Sequence, residues 1–334
     1  MNRRQFLAGA GAVTAWGGLA WYASRGSARG GASILNVSYD ATRELYRNIN
    51  LRFLAEHGAT VRPSHGGSGK QALAVREGLP ADVVSLAVWP DTNELQKTGL
   101  IDKGWEERFP NHSLPYTSTI VFVVRKGNPK QIYDWPDLVK PDGLRVVASN
   151  PKTGGAAKLA VLAAWGAAKE TSGSETKADD YVMKLFNPMR IPILESSSRT
   201  ATQSFARKKM GDVHITWESE AILELRELQD EVEIVRPAIS VLAEPHVAVV
   251  DANARHHGTE QLAAAYVRFL YTLESQQIIA GFGFRPQNEI VRQETAIGFG
   301  SLKMLAVRDI LPGGWPEAQE RFFNDGGLFD RAYL

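Results

Sequence analysis

Short runs of β-branched and apolar residues alternate along the chain with longer stretches whose apolar positions recur at helical spacing. Ile34–Ser38 precedes a helical pattern over 41–57, Thr60–Ser64 precedes one over 70–77, and Val83–Ala87 closes the first series. The alternation resumes with Ser118–Arg125, Arg145–Ala148, a helix over 156–170, Arg190–Leu194, a helix over 200–209 and Val213–Trp217. Strands and helices in this order predict βα units around mostly parallel sheet. At 334 residues, two lobes are the economical reading. Ala167–Ala178, the one low-complexity stretch, reads as a solvated helix end and loop.

Two runs, Thr117–Val124 and Pro245–Val250, are apolar enough to be buried on both faces and read as strands crossing between lobes. The expected fold class is therefore α/β, with two lobes of mixed sheet joined by two crossover strands. The expected division is an export signal over 1–31, a first lobe of 32–118 plus part of 246–334, and a second lobe of 119–245. Helices near 259–271, 274–281 and 315–323 are expected to cross back over both lobes.

Four strand-to-helix turns concentrate Gly, Ser and Asn: Asn36–Asp40, His65–Lys70, Asn150–Gly155 and Glu195–Thr200. A helix N-terminus presents N–H groups that have no intrahelical acceptor, and in open α/β sheets ligands sit beyond the carboxyl ends of strands. Convergence of these turns in a cleft predicts capture of a small oxyanion. Ser68 brings a hydroxyl and flanking N–H groups, although an ordinary helix N-cap explains it as well. Asp40 is placed to cap the helix over 41–57, and near an anion it acts through its backbone N–H, because a carboxylate repels a dianion. Ser198-Arg199-Thr200 supplies hydroxyl and N–H donors with a guanidinium. Trp217 ends a strand with one indole N–H, where core packing is the usual role of tryptophan. Glu218 and Glu220, at the start of the next helix, read as solvated or capping.

Charge and composition act by exclusion. A net charge of +1 leaves no basic groove for nucleic acid, and the absence of cysteine removes thiol nucleophiles and thiolate metal sites. The seven histidines show no His-x-x-x-His spacing, and no Gly-x-Gly-x-x-Gly occurs. Ser64 and Gln71 break a phosphate-binding P-loop around Gly69-Lys70, and Lys70 breaks a nucleophile elbow. No enzyme, cofactor or metal is expected; a metal-loaded periplasmic phosphatase or sulfatase is the alternative in another class. At the N-terminus, Arg3-Arg4-Gln5-Phe6-Leu7 precedes a mildly apolar run to Ala23, which reads as a twin-arginine export signal and a periplasmic address. An uncleaved anchor is the alternative.

Taken in order, the turns and their flanks resemble the sulfate-binding protein family of bacterial sulfate/thiosulfate ABC importers, type II solute-binding proteins. The resemblance spans 33–334 and rests on Leu35–Asp40, Thr42–Tyr46, Ser64–Gln71, Pro115–Gln131, Asn150–Thr153, Leu162–Gly166, Gly211–Val213, Ala243–Pro245, Gly313–Trp315 and Gly326–Asp330. It implies a clamp that holds sulfate or thiosulfate, dehydrated, through backbone N–H groups, a serine hydroxyl and a tryptophan N–H. Delivery to the permease subunits of an ABC importer follows from it, and a monomer is expected. Asp40, Ser68, Gly155 and Trp217 fall on its binding positions, with Thr153, Gly154, Ala156, Ser198 and Arg199 in the matching turns. The family typically reads Asn-Pro-Lys-(Ser/Thr)-Ser-Gly-Gly-Ala-Arg-Trp, whereas an ungapped match here gives Thr153, Gly154, Gly155, Ala156, Ala157, Lys158 and Leu159. A serine hydroxyl is thus lost at Gly154, and Thr153 or Ser198 is the candidate to restore one. Molybdate, tungstate and phosphate are the alternative ligands. A pocket of donors alone selects against protonated phosphate, whose O–H would leave a donor unpaired at a cost of about 1–3 kcal/mol.

Overall fold

The computed structural model describes residues 32–140, 143–295 and 298–333, so the expected export signal lies outside the described residues. In chain order the strands are β1 (Ser33–Tyr39), β2 (Thr60–Gly66), β3 (Val83–Leu86), β4 (Tyr116–Thr117), β5 (Ile120–Arg125), β6 (Val146–Ser149), β7 (Leu194–Glu195), β8 (Val213–Trp217), β9 (Val232–Val235), β10 (Ile239–Val241), β11 (His246–Val249), β12 (Arg285–Pro286) and β13 (Lys303–Leu305). They form two open sheets, ordered β11-β3-β1-β2 and β7-β6-β8-β5-β9, and two short ladders, β10 with β13 and β4 with β12. Each sheet is parallel except where a late or crossing strand enters: β11 runs antiparallel to β3, and β5 antiparallel to β8 and β9.

Both sheets are covered on both faces, which is why their strands read as nearly continuous apolar runs. On β1, Leu35 and Val37 pack with Val84, Leu86 and Val250, while Ile34 belongs to the opposite layer with Leu45, Ile49 and Phe53. On β5, Val121 and Val123 pack with Phe205 and Val232, and Phe122 lies on the other side edge-on to Trp135. Where the chain passes between sheets, Ser118 and Ala243 exchange backbone hydrogen bonds of 3.1 and 2.9 Å. Thr119 Oγ1 donates to the Val241 carbonyl at 2.8 Å, and Ser240 Oγ donates to the Ile120 carbonyl at 2.8 Å, so the two connections lie side by side.

Several boundaries differ from those read in the sequence. Helices begin at Ser68, Gly155 and Ser198, one to two residues earlier than expected, and Arg190–Leu194 contributes only the strand Leu194–Glu195. The stretch Ala167–Ala178 does contain a helix end, but the loop expected after it shrinks to Gly173 and Ser174. The helix Gly155–Ser172 ends at Gly173 in the left-handed conformation, and a new helix, Glu175–Leu185, starts at once because the Ser174 side chain accepts the Lys177 N–H. Its polar residues occupy the outer face, while Ala178, Val182 and Leu185 are buried. Toward the C-terminus, Leu273–Gly281 packs on Arg43–His57, and Leu328–Tyr333 packs on Glu175–Leu185. The short helix Gly314–Ala318 touches Trp89–Lys97. Among the described residues no helix is long and apolar enough to cross a membrane.

Candidate functional site

The carboxyl ends of β1, β2 and β3 meet those of β6, β7 and β8, and the lobes are shut on one another. A Cβ placed on Gly67 would stand 2.6 Å from the Thr153 carbonyl oxygen, and one on Gly155 would stand 2.5 Å from the Cβ of Ala87. The Arg199 N–H donates to Asp40 Oδ2 at 3.3 Å, and the rings of Tyr39 and Trp217 lie 5.5 Å apart. All four turns singled out in the sequence therefore come together, joined by the ends of β3 and β8.

Their donors divide into those already used and those left over. The N–H groups of Thr153 and Gly154 both donate to the Asn150 carbonyl, and Thr153 Oγ1 donates to the Ser196 carbonyl at 2.9 Å, so this hydroxyl does not replace the one missing at Gly154. Gly154 is the N-cap of the helix Gly155–Ser172 with φ −123° and ψ 130°, a conformation open to any residue. Ser68 is the first helical residue, not the cap, which is Gly67; its Oγ donates to Asp91 Oδ2 at 2.5 Å and accepts the Ala87 N–H at 3.0 Å. Asp40 does not cap the helix over 41–57: it opens a 3-10 turn, Asp40–Thr42, that makes no side-chain cap, and its carboxylate reaches the opposite turn instead. The Arg199 guanidinium faces Glu44 at 3.3 Å and Glu220 at 3.8 Å, so acids already hold it.

What remains is a set of N–H groups. Those of Ser68, Gly155, Ala156 and Ser198 take no acceptor among the described residues, that of Asp40 turns only to its own carboxylate, and the indole N–H of Trp217, which is fully buried, has no acceptor either. Helix N-termini lead three of the turns, so their partial positive charge and their free donors point the same way. Such an array is suited to holding an oxyanion by neutral donors.

Sequence reasoning missed the acids behind it. Glu220 is neither solvated nor a cap: it is buried and accepts the Thr202 hydroxyl at 2.8 Å, while Glu218 is buried against Arg285 and Arg236. Both carboxyls lie in the first turn, buried all round, of the helix Glu218–Leu228, and only tertiary packing gave them their neighbours. Burial raises Asp40 above the ordinary carboxylate range, with bonds from Ser197 and the Arg199 N–H pulling the other way. Burial also pushes Glu220 up to about 8, against the Thr202 hydrogen bond and the Arg199 charge. His65, whose Nδ1 lies 2.7 Å from Ser38 Oγ, is lowered to about 4 by burial and then by Arg43. Among the described residues no group of three His, Asp or Glu side chains is arranged to hold a metal ion.

The Glu220 shift has a stability consequence. Between the ordinary glutamate range and about pH 8 the folded chain keeps a proton that the unfolded chain releases, so stability falls as pH rises through that window. Glu220→Gln has no such proton to lose. Its melting temperature relative to the parent is expected to be near zero at pH 4 and higher by at least ~2 °C at pH 8. A difference independent of pH would mean that Glu220 is ionised in the fold.

The profile of the family described as bacterial extracellular solute-binding protein matches residues 34–285. The chain is 45% identical over 306 residues to the sulfate-binding protein of Escherichia coli (strain K12), covering 89% of this chain and 92% of that one. It is 42% identical over 316 residues to the thiosulfate-binding protein of Pseudomonas aeruginosa, covering 92% and 94%. Among solved structures, the sulfate-binding protein SubI from Mycobacterium tuberculosis H37Rv superposes with a TM-score of 0.79 at 32% identity, over 88% of this chain and all of that one. The two-lobed α/β clamp, the cleft at the strand ends and these similarities agree: the chain belongs to the bacterial extracellular solute-binding proteins, in the family of the sulfate- and thiosulfate-binding proteins.

Proposed function

We propose that the protein captures sulfate, or thiosulfate, in the cleft between a first lobe of 32–118 plus part of 246–334 and a second lobe of 119–245. It then delivers the anion, as a monomer in the periplasm, to the permease subunits of an ABC importer. The observation that carries this reading is the set of six N–H groups that no other residue accepts among the described residues, Asp40, Ser68, Gly155, Ala156, Ser198 and the Trp217 indole, in a place where nearby cations are matched by carboxylates. Sulfate needs only donors. Lost hydration is offset by several charge-assisted hydrogen bonds at helix termini in a dry site. The names of the relatives support the choice of ligand, and molybdate and tungstate, also tetrahedral dianions, are its competitors.

Calorimetric titration with sulfate, thiosulfate, molybdate and phosphate tests the reading. One sulfate per chain is expected at pH 7, unaffected by chelator, with phosphate weaker by at least about 100-fold. Equal affinity for phosphate, or binding lost to chelator, would falsify the donor-only site, and turnover of a sulfate or phosphate ester would revive a hydrolase. Export by the twin-arginine route belongs to the same proposal, motivated by Arg3-Arg4 ahead of Phe6-Leu7. Replacing both arginines by lysine should hold the precursor in the cytoplasm; normal export of that variant points to the general secretory route or an anchor.

A further inference from the structure

We propose that Lys158 and Asp91 form a charge pair across the cleft that sets the hydroxyl of Ser68, making Lys158 a positioning residue for anion capture that does not itself touch the anion. The inference rests on the reading just given. Lys158 lies one turn into the helix whose first N–H groups, Gly155 and Ala156, face the cleft, and Asp91 lies on the helix Trp89–Lys97 on the opposite side. Lys158 Nζ is 3.7 Å from Asp91 Oδ1, with the two side chains only 14% and 8% exposed. The second carboxylate oxygen accepts the Ser68 hydroxyl at 2.5 Å. Ser68 has one hydroxyl proton, and Asp91 takes it. Because Ser68 Oγ also accepts the Ala87 N–H, the side chain is fixed on both sides and the Ser68 backbone N–H is left over for a ligand.

The arrangement has an electrostatic cost. A carboxylate held one hydroxyl away from a captured dianion repels it unless a cation neutralises it, and burial strengthens that repulsion. Among the described residues no other basic side chain stands within ion-pair distance of Asp91. Its counter-charge comes from the other lobe, so it is complete only when the cleft is shut. Lys158 is itself kept in place by Gln319 Oε1 at 3.4 Å and by the ring of Phe323. Closing the lobes thus supplies the charge that makes the Ser68 turn tolerant of an anion. Closure and capture are coupled through a residue outside the donor array.

Sulfate titration of the parent, Lys158→Met, Lys158→Arg and the double variant Lys158→Met/Asp91→Asn tests this, with release rates followed by stopped flow. Lys158→Met is expected to bind sulfate at least about tenfold more weakly, chiefly through faster release, because it leaves Asp91 buried and unpaired. Lys158→Arg should stay within about threefold of the parent, and the double variant should recover to about the same level, since it removes the orphaned charge. A lysine with only a structural role would lower the melting temperature of the ligand-free protein and leave sulfate affinity and release rate unchanged. Lys158→Met affinity within about threefold of the parent, or a double variant no tighter than Lys158→Met, overturns the pair's role. Should Lys158→Met fail to fold, Lys158→Gln, alone and with Asp91→Asn, is judged by the same outcomes. No sulfate binding by the parent overturns the proposed function, and this inference with it, before any variant is compared.

Discussion

Gly155→Ala is expected to weaken sulfate binding by at least about 100-fold while the lobes fold normally. Gly155 is the first residue of a long helix, where alanine is a better helix former than glycine, so nothing local opposes the change. The opposition comes from across the cleft. A Cβ at this position would stand 2.5 Å from the Cβ of Ala87, 3.4 Å from Val88 Cγ1 and 3.6 Å from the Cβ of Ser68. Carbon atoms prefer about 3.5–4.0 Å, so the lobes must stop roughly 1 Å short of their present closure. That separates Asp40 and Ser68 from the donors of the other lobe, and two charge-assisted hydrogen bonds at about 1.5–3 kcal/mol each suffice for the loss. Calorimetry reads the affinity, and small-angle scattering reads whether sulfate still closes the clamp. Binding within threefold of the parent would mean that capture does not require the closure seen between Gly155 and Ala87.

Trp217→Phe is the second large effect, expected to weaken sulfate binding by about 10- to 150-fold. The ring is fully buried against Tyr39, and its N–H has no acceptor among the described residues. A buried donor with no partner costs about 1–3 kcal/mol in the empty protein, and the natural explanation for tolerating it is an acceptor that arrives with the ligand. Phenylalanine retains much of the packing and removes the donor. The ligand-free protein should therefore melt within a few degrees of the parent, because the smaller ring loses contacts while the orphaned N–H disappears. A large fall in melting temperature with unchanged affinity would make Trp217 a core residue and take its N–H out of the donor array.

Local patterns carried the architecture well. Val213–Trp217 is a strand with the residues its apolar run indicated, and the turns at Asp40, Ser68, Gly155 and Ser198 stand at the ends of strands, as alternation of short and long periodic segments requires. Strand order followed less directly. The antiparallel entry of β5 and β11 and the pairing of β10 with β13 depend on partners far along the chain, which no local period encodes. Errors at boundaries were small where a cap decided them. The helix Glu175–Leu185 was missed because its buried face is only three residues wide amid polar neighbours.

Within the site, the chain determined by itself which groups are available: glycines and small residues after strands, helix N-termini, one serine hydroxyl and one indole, with no cysteine to suggest other chemistry. Only the tertiary structure decided which of them are free. Thr153 and Gly154 donate within their own turn, the Ser68 proton goes to Asp91, the Arg199 guanidinium goes to Glu44 and Glu220, and the N–H groups of Gly155, Ala156 and Ser198 are left. The physical reason is that donor types follow from residue type and local backbone, both written in the sequence, whereas a donor is used up by whichever acceptor packing brings within about 3 Å. For Ser68 that acceptor is 23 residues away, and for the Arg199 guanidinium, at Glu44, it is 155 residues away.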